Sequence, residues 1–330
     1  SLTGEAKDLA EVESFVSGDT LVIRPVKRRG FVFTMGKARE GARVHITAAM
    51  LNKLKMSGSG DVQLDQVSGD KFALTIDGPG DLQASGAVRE LLVSSSGSGD
   101  ADLHRVRAVV ARVDMNGPGD VRLADISGEL HADVNGSGDL EADRLRVTSV
   151  EARLEGPGSV RLDGSSRQLR VAVAGSGDFD ACGLAVDSAS ALLNGPGNGC
   201  VSGNIKKFQG EVNGTGDLAV RGLAAQEVRI RMSGPGNVEL AGSAGVLNAD
   251  MSGSGDLEAG SLAGTNATLR KRGPGDAELA TVTGILDAEL SGSGGLQAAL
   301  AGKRLMLRMD GPGDVELGGT VDTVTAQLTG

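Results

Sequence analysis

The chain has 330 residues, of which 39% are hydrophobic and only 2% aromatic, with no Trp or Tyr. Its formal net charge of −10 at pH 7 disfavours binding to nucleic acid or to an anionic membrane surface. No run reaches the ~20 apolar residues that a membrane-spanning helix needs. The composition therefore predicts a thin aliphatic core, no nucleic-acid partner and no membrane span.

Residues 1–57 carry no internal repeat and differ in charge from the rest of the chain. They hold ten Lys and Arg against six Asp and Glu, whereas residues 58–330 hold 23 against 37. Short β-branched or aromatic runs at 21–23, 31–33 and 44–46 predict strands. We expect a strand-rich N-terminal cap over residues 1–57, because the open end of a repeat protein exposes its core and its unpaired backbone groups.

A basic cluster interrupts this first region at Lys27, Arg28 and Arg29. An exposed loop on the capping segment is the simpler interpretation. The alternative is a patch that contacts an acidic partner.

The motif Gly-(Ser/Pro/Thr)-Gly occurs fourteen times in residues 58–330, at a spacing of 19 or 20 residues. Its middle residue alternates between Ser or Thr and Pro. A period of this size is typical of a solenoid, in which each repeat buries its apolar face on the next. Glycine at such turns permits positive φ and lets successive turns approach closely. The predicted structural turns include Gly58, Gly60, Gly78, Gly80, Gly117, Gly119, Gly136 and Gly138.

Each repeat contains two short runs of alternating apolar and polar residues, such as 121–123 and 130–134, with a small glycine-containing loop between them. Alternation with a period of two indicates half-buried strands. The same turn chemistry returns at a fixed period, so successive coils should pair in parallel, and such connections are right-handed. The predicted fold is all-β: a right-handed parallel β-helix (β-solenoid) with repeats of about 19.5 residues.

The alternation of Ser and Pro leaves two coil sizes open. One motif per coil gives fourteen coils that span roughly 65 Å, and this is the favoured reading because a coil of ~20 residues is ordinary. Two motifs per coil would stack identical turns and give half that length.

The residue after each motif is usually Asp, with Asn or Ser in a few repeats. These three residue types all accept hydrogen bonds from nearby backbone N–H groups, which predicts a role in closing the turns. The alternative is a calcium ladder along stacked carboxylates, although one Asp per turn is few for an ion that takes six to eight oxygens. We therefore expect no cofactor, with calcium as the alternative. The ladder candidates are Asp61, Asp81, Asp100, Asp120 and Asp139.

Cys182 and Cys200 lie seven and five residues after the starts of their motifs, so they are offset even in neighbouring coils. Two free thiols are the expectation, and a disulfide is the alternative. The three histidines, His45, His104 and His131, are scattered without the spacing of a catalytic triad or a metal site. No catalytic residues are predicted, and we expect that the protein is not an enzyme.

The run from Leu54 to Val62 (Leu-Lys-Met-Ser-Gly-Ser-Gly-Asp-Val), the segment that starts at Leu2 (Leu-Thr-Gly-Glu) and the repeated Ser-Gly-Ser-Gly-Asp turns resemble the bacterial putative auto-transporter adhesin family, also called the head GIN domain. The resemblance implies a secreted or envelope-anchored parallel β-helix with no agreed activity. This chain has more repeats and carries Pro in every second motif. The implied location is extracellular, cell-surface or periplasmic, after removal of a signal peptide that this sequence does not contain.

Two functions follow as expectations. The first is a structural or adhesive rod at the cell surface, without catalytic activity, that binds a cell-surface or matrix component. The second is the subunit of an extracellular fibre, because the sequence stops within a coil and an uncapped parallel edge is a template for head-to-tail self-association.

Overall fold

A computed structural model describes residues 2–3, 10–26, 43–48 and 50–329. Its contacts divide the chain into two units, residues 1–51 and 52–330. The described residues contain strands and no helix. The boundary predicted between residues 57 and 58 lies slightly beyond this division, because the strand Lys53–Met56 already pairs with the first repeat.

The part of the first unit that the structure describes contains four strands in two antiparallel pairs. The first strand pairs with the fourth, and the second and third form a hairpin that turns at Gly18, where φ is 63°. The predicted strand at 21–23 lies in this hairpin, and the one at 31–33 lies outside the described residues. The strands are β1 (Leu2–Thr3), β2 (Val12–Ser17), β3 (Thr20–Pro25) and β4 (Arg43–Val44).

The second unit is one sheet of parallel strands wound into a solenoid. Its strands are β5 (Lys53–Met56), β6 (Val62–Ile76), β7 (Leu82–Ser95), β8 (Ala101–Met115), β9 (Val121–Ala124), β10 (Ile126–Val134), β11 (Leu140–Leu154), β12 (Val160–Val173), β13 (Phe179–Leu193), β14 (Gly199–Ile205), β15 (Lys207–Val212), β16 (Leu218–Met232), β17 (Val238–Met251), β18 (Leu257–Lys271), β19 (Ala277–Val282), β20 (Ile285–Leu290), β21 (Leu296–Asp310) and β22 (Val315–Thr329).

The register of these strands fixes the size of a coil. Leu54 pairs with Leu74, and Ile76 pairs with Ser95, so that each residue meets a partner 20 or 19 positions further along the chain. Each Gly-x-Gly motif therefore corresponds to one coil, as predicted. The alternative coil with two motifs is wrong.

The predicted loop between the two runs of each repeat is absent in most coils. A single strand such as β7 continues through the position, and its pairing with β8 shifts register between Gln83 and Ser85. A β-bulge bends a strand in this way while most of its hydrogen bonds remain in place. We call the column of these bends the bulge corner, and the column of Gly-x-Gly motifs with the residue that follows each motif the turn corner.

The core lies inside the coils and is mainly Val, Leu, Ile and Ala from alternate strand positions. Phe72, Phe179 and Phe208 are its largest apolar side chains, and all three are fully or nearly fully buried. Burial of one such side chain contributes about 1.5–3 kcal/mol, so stacking of coils supplies the main stabilising term. Ser95, Ser166 and Lys271 are the buried polar residues among those described.

Candidate functional site

The glycines of the turn corner are required by close approach of successive backbones. The N–H of Gly80 donates to the carbonyl of Gly58 at 3.2 Å, and the same bond joins successive turns as far as Gly255, which donates to Gly234. A Cβ added at Gly117 would overlap the carbonyl oxygen of Gly97, whereas Gly58 and Gly60 face open space. Positive φ is needed at only one described motif glycine, Gly311. The predicted turn glycines Gly58, Gly60, Gly78, Gly80, Gly117, Gly119, Gly136 and Gly138 all lie at this corner.

The residues after the motifs form a hydrogen-bonded column between coils. The Asp61 carboxylate accepts the backbone N–H of Asp81 at 3.1 Å, and Asp81 accepts that of Asp100 at 2.9 Å. The sequence predicted that these residues accept a nearby backbone N–H and close the turns, and the structure shows that the donor belongs to the following coil. The acceptors are Asp61, Asp81, Asp100, Asp120, Asp139, Ser159, Asp178, Asn198, Asp217, Asn237, Asp256 and Asp276.

This column binds its own backbone and does not gather oxygens around one point. Each carboxylate commits one oxygen to an N–H group, and consecutive members are one coil apart. Calcium takes six to eight oxygens at 2.3–2.6 Å. The geometry of the described residues therefore supports a structural role for Asp61, Asp81, Asp100, Asp120 and Asp139.

The two cysteines form a disulfide, contrary to the expectation of free thiols. Their Cα atoms are 5.4 Å apart. Cys200 pairs in register with Asp180, and the pairing shifts between Ala181 and Ala185. The two-residue offset that argued against a bridge instead places Cys182 diagonally across from Cys200 on the same face of the sheet, within reach of it. Both cysteines are half-buried.

The histidines of the solenoid, His104 and His131, contact carboxylates at the surface. His104 Nδ1 contacts the Asp102 carboxylate, and the His131 ring lies 3.5 Å from both Glu129 and Glu151. Partial burial raises the pKa of Asp102, but hydrogen bonds from His104 outweigh this effect and lower it overall. His45 is exposed in the first unit.

An ion pair at the bulge corner, between Arg144 and Asp125, was missed by the sequence reasoning. Arg144 donates to both carboxylate oxygens of Asp125, from Nε at 3.1 Å and from Nη2 at 3.0 Å, and also to the His104 carbonyl at 3.3 Å. The hydrogen bond from Arg144 lowers the pKa of Asp125. Both residues adopt positive φ, 56° at Asp125 and 52° at Arg144, at a position that several other coils fill with Gly, such as Gly86 and Gly164. The interruption of that glycine column was the available signal.

Lys271 was also missed. It occupies the inward position directly before a turn, in register with Met251, and its side chain is only 1% exposed. Its Nζ donates to the Gly273 carbonyl at 3.1 Å. Burial lowers the pKa of Lys271, and the nearby Asp256 and Asp276 partly oppose this. The signal in the sequence was a Lys in a column of apolar residues.

The outer face of the strands that precede the turn corner carries two shallow depressions, of about 240 and 420 Å³. Both lie between the two columns of outward-facing side chains that these strands form as they stack. The smaller depression is lined by Arg229, Arg231, Asp250 and Arg270, and the larger by residues around Leu92. This outer face therefore presents alternating charge along stacked coils.

Comparison with known proteins decides the family. The family model described as "Putative auto-transporter adhesin, head GIN domain" (DUF2807) matches residues 1–141, 106–206 and 200–298. The chain belongs to this family. No curated protein and no solved structure matches it. The three successive matches show that this head GIN chain extends the family pattern over most of its length.

Two of the predictions about partners concern the basic cluster and a membrane span. The basic cluster Lys27, Arg28 and Arg29 falls outside the described residues. Within the described ranges, no helix has the length and apolarity that crossing a membrane requires.

Proposed function

We propose that this head GIN chain is a structural and adhesive rod displayed outside the cell, which works without catalysis and without a bound cofactor. Family membership is the observation that carries the proposal, because the family is described as an adhesin. The solenoid supports it by repeating similar outward positions once per coil, about 4.8 Å apart. Weak contacts repeated along such a surface add up through multivalency.

The adhesive surface is best sought around the smaller depression. Arg231 and Arg270 line it from one outward column, on either side of Asp250. Arg231 forms no ion pair among the described residues, and Arg270 Nε is 4.0 Å from Glu289 Oε2. Arg229, at the edge of the depression, forms an ion pair with Glu227, with 2.9 Å between Nη2 and Oε1. Exposed guanidinium groups at regular spacing suit a partner that carries carboxylate, sulfate or phosphate groups, such as an acidic cell-surface or matrix polymer.

Multivalent display tests this proposal. Beads coated with the chain would be passed over arrays of immobilised matrix proteins and acidic and neutral polysaccharides. We expect retention on at least one acidic polymer, and loss of about tenfold or more in the variant Arg229→Ser/Arg231→Ser/Arg270→Ser. The matched control is Arg105→Ser/Arg107→Ser/Arg146→Ser, which removes three exposed arginines near the bulge corner. Equal losses in both variants, or no retention on any surface, would contradict the proposal.

The remaining parts of the proposal have separate measurements. Protease treatment of intact cells should cleave the chain if it is displayed outside the cell. The captured polymer should keep its chain length during incubation, since we propose no catalysis. A chelator should leave retention unchanged, because the proposal includes no calcium; loss of retention in the chelator would restore the calcium ladder.

Self-association into a fibre is the second candidate. Val324 and Leu328 of β22 are 61% and 65% exposed, although they continue the inward columns of Leu305 and Met309. A second copy stacked on this strand would cover them. Sedimentation velocity over a range of concentrations should then show growing oligomers, and a single species of monomer mass would refute the fibre.

A further inference from the structure

A cluster of metal-binding side chains lies where β13 and β14 pair. One carboxylate oxygen of Asp180 and the sulfur atoms of Cys182 and Cys200 all lie within 4.8 Å of one another. Among the described residues, no other group of three such side chains meets this condition. All three residues are half-buried, so that solvent ions can reach them without a change of fold.

Backbone contacts hold the cluster in place. Asp180 pairs in register with Cys200, which puts their side chains side by side on the outer face. The Cys182 N–H donates to Asp180 Oδ1 at 3.0 Å, and the Ser202 hydroxyl donates to the Cys182 carbonyl at 2.6 Å. These bonds fix the carboxylate beside the sulfurs and join the two coils that carry the ligands. The arrangement does not depend on the S–S bond alone.

We propose that reduction of the Cys182–Cys200 disulfide converts this cluster into a binding site for a thiophilic divalent cation of the zinc type. Two equivalents of a thiol reductant break the S–S bond and leave as their own disulfide, while each cysteine gains one proton. The cation then displaces both thiol protons and binds two thiolates and the Asp180 carboxylate.

The chemistry of the donor set favours zinc over calcium or magnesium. Thiolates are soft ligands, and zinc binds them at about 2.3 Å and carboxylate oxygens at about 2.0–2.2 Å. Ligand atoms around a tetrahedral zinc are then about 3.5–3.8 Å apart, which is within the 4.8 Å spread of this cluster. Three protein ligands leave the fourth position to water. The oxidised chain has no thiolate to offer, so cation binding depends on the redox state.

Cobalt(II) is the probe, because its bonds to thiolate give a near-ultraviolet charge-transfer band and tetrahedral coordination gives strong visible bands. The full chain would be reduced with a phosphine under oxygen-free conditions and titrated with cobalt. Zinc would then be added. We expect one equivalent of cobalt to bind the reduced chain, none to give these bands with the oxidised chain, and zinc to displace it.

Variants assign the ligands. Asp180→Asn should weaken cobalt binding by about tenfold or more, and Cys200→Ser should remove the charge-transfer band. The matched control is Asp178→Asn, two residues away in the same coil, where Asn198 and Asn237 show that Asn is accommodated. This control should bind cobalt as the unchanged chain does.

Two results would overturn the inference. One is a reduced chain that keeps its far-ultraviolet circular dichroism but shows no cobalt bands. The other is equal binding by Cys182→Ser/Cys200→Ser, which would place the ion elsewhere. If reduction itself unfolds the coils, recovery of the β-signal on addition of zinc supports the site, and failure to recover refutes it.

Discussion

The turn corner and the bulge corner bend the same chain once per coil, but they do so by different means. At the turn corner, glycine is required because the next backbone occupies the space of a side chain, as at Gly117. At the bulge corner, close approach also excludes a side chain at glycines such as Gly164, whose added Cβ would overlap the Leu145 carbonyl oxygen, but the backbone conformation differs from coil to coil. Gly164 has φ of 125°, a region open mainly to glycine, whereas Gln66 has φ of 61°, which other residues reach at moderate cost.

This difference explains why one corner is uniform in sequence and the other varies. At the turn corner, every motif glycine from Gly78 onward lies against the backbone of the preceding coil, which explains why the motif recurs there without exception. A bend in the left-handed region tolerates a side chain when that side chain gains a partner, and Arg144 gains Asp125. Substitutions at the two corners should therefore change the free energy of unfolding by different amounts and in opposite directions.

The largest effect is expected from Gly117→Ala. Its Cβ would overlap the carbonyl oxygen of Gly97, and a backbone atom cannot move aside without breaking the coil-to-coil hydrogen bonds. We expect a loss of about 3 kcal/mol or more in the free energy of unfolding, measured by chemical denaturation. Gly58→Ala is the control, because nothing lies within 4 Å of its added Cβ. Similar losses in both would show that close approach is not the reason for the motif.

A gain is expected from Lys271→Met, on the inner side of the turn corner. The equivalent residue in the preceding coil is Met251, and a buried ammonium with one hydrogen bond is poorly solvated. The substitution should raise the free energy of unfolding by about 1–2 kcal/mol at pH 7.

The pH dependence of the same variant provides a second check. Because the pKa of Lys271 is lowered on folding, the unfolded chain binds more protons between that lowered pKa and 10.5. Stability of the unchanged chain should therefore rise with pH across this window relative to Lys271→Met. Parallel pH profiles would mean that the ammonium is solvated in the folded chain.

A smaller effect is expected in the column of acceptors. Asp120 accepts the N–H of Asp139 at 2.8 Å, and Asp120→Ala should cost about 1 kcal/mol in thermal or chemical unfolding. Asp120→Asn keeps an acceptor of the same length, as Asn198 does, and should be close to neutral. If Asn were as destabilising as Ala, the negative charge and not the hydrogen bond would be the important property.

The smallest effect is expected from Gln66→Gly at the bulge corner. Glycine relieves the cost of positive φ but is more flexible in the unfolded chain, so we expect a gain below about 1 kcal/mol. Gln63→Gly, in the same strand at an outward position, should instead lose about 0.5–1 kcal/mol. Losses of the same size in both variants would show that positive φ at Gln66 has no cost, and the proposed difference between the two corners would then fail.

Much of the fold was predictable because the sequence repeat is regular. The fixed spacing of the motif gives the period, and the alternation of residues such as those in 130–134 gives strands with one buried face. The disulfide was not predictable, because Cys182 and Cys200 are offset by two residues and their contact depends on the local course of the chain at the bulge that follows Ala181. The candidate cation site was hidden for the same reason, since it joins Asp180 to a cysteine one coil away.

By itself, the sequence determined the family, the parallel solenoid and the position of every turn, because these follow from a period and a turn chemistry that are local. Only the tertiary structure decided that the turn aspartates from Asp61 to Asp276 bind the coil after their own, that Arg144 reaches Asp125 and that Lys271 is buried. These are contacts between coils, and their partners depend on a register that a bulge can shift by one or two residues.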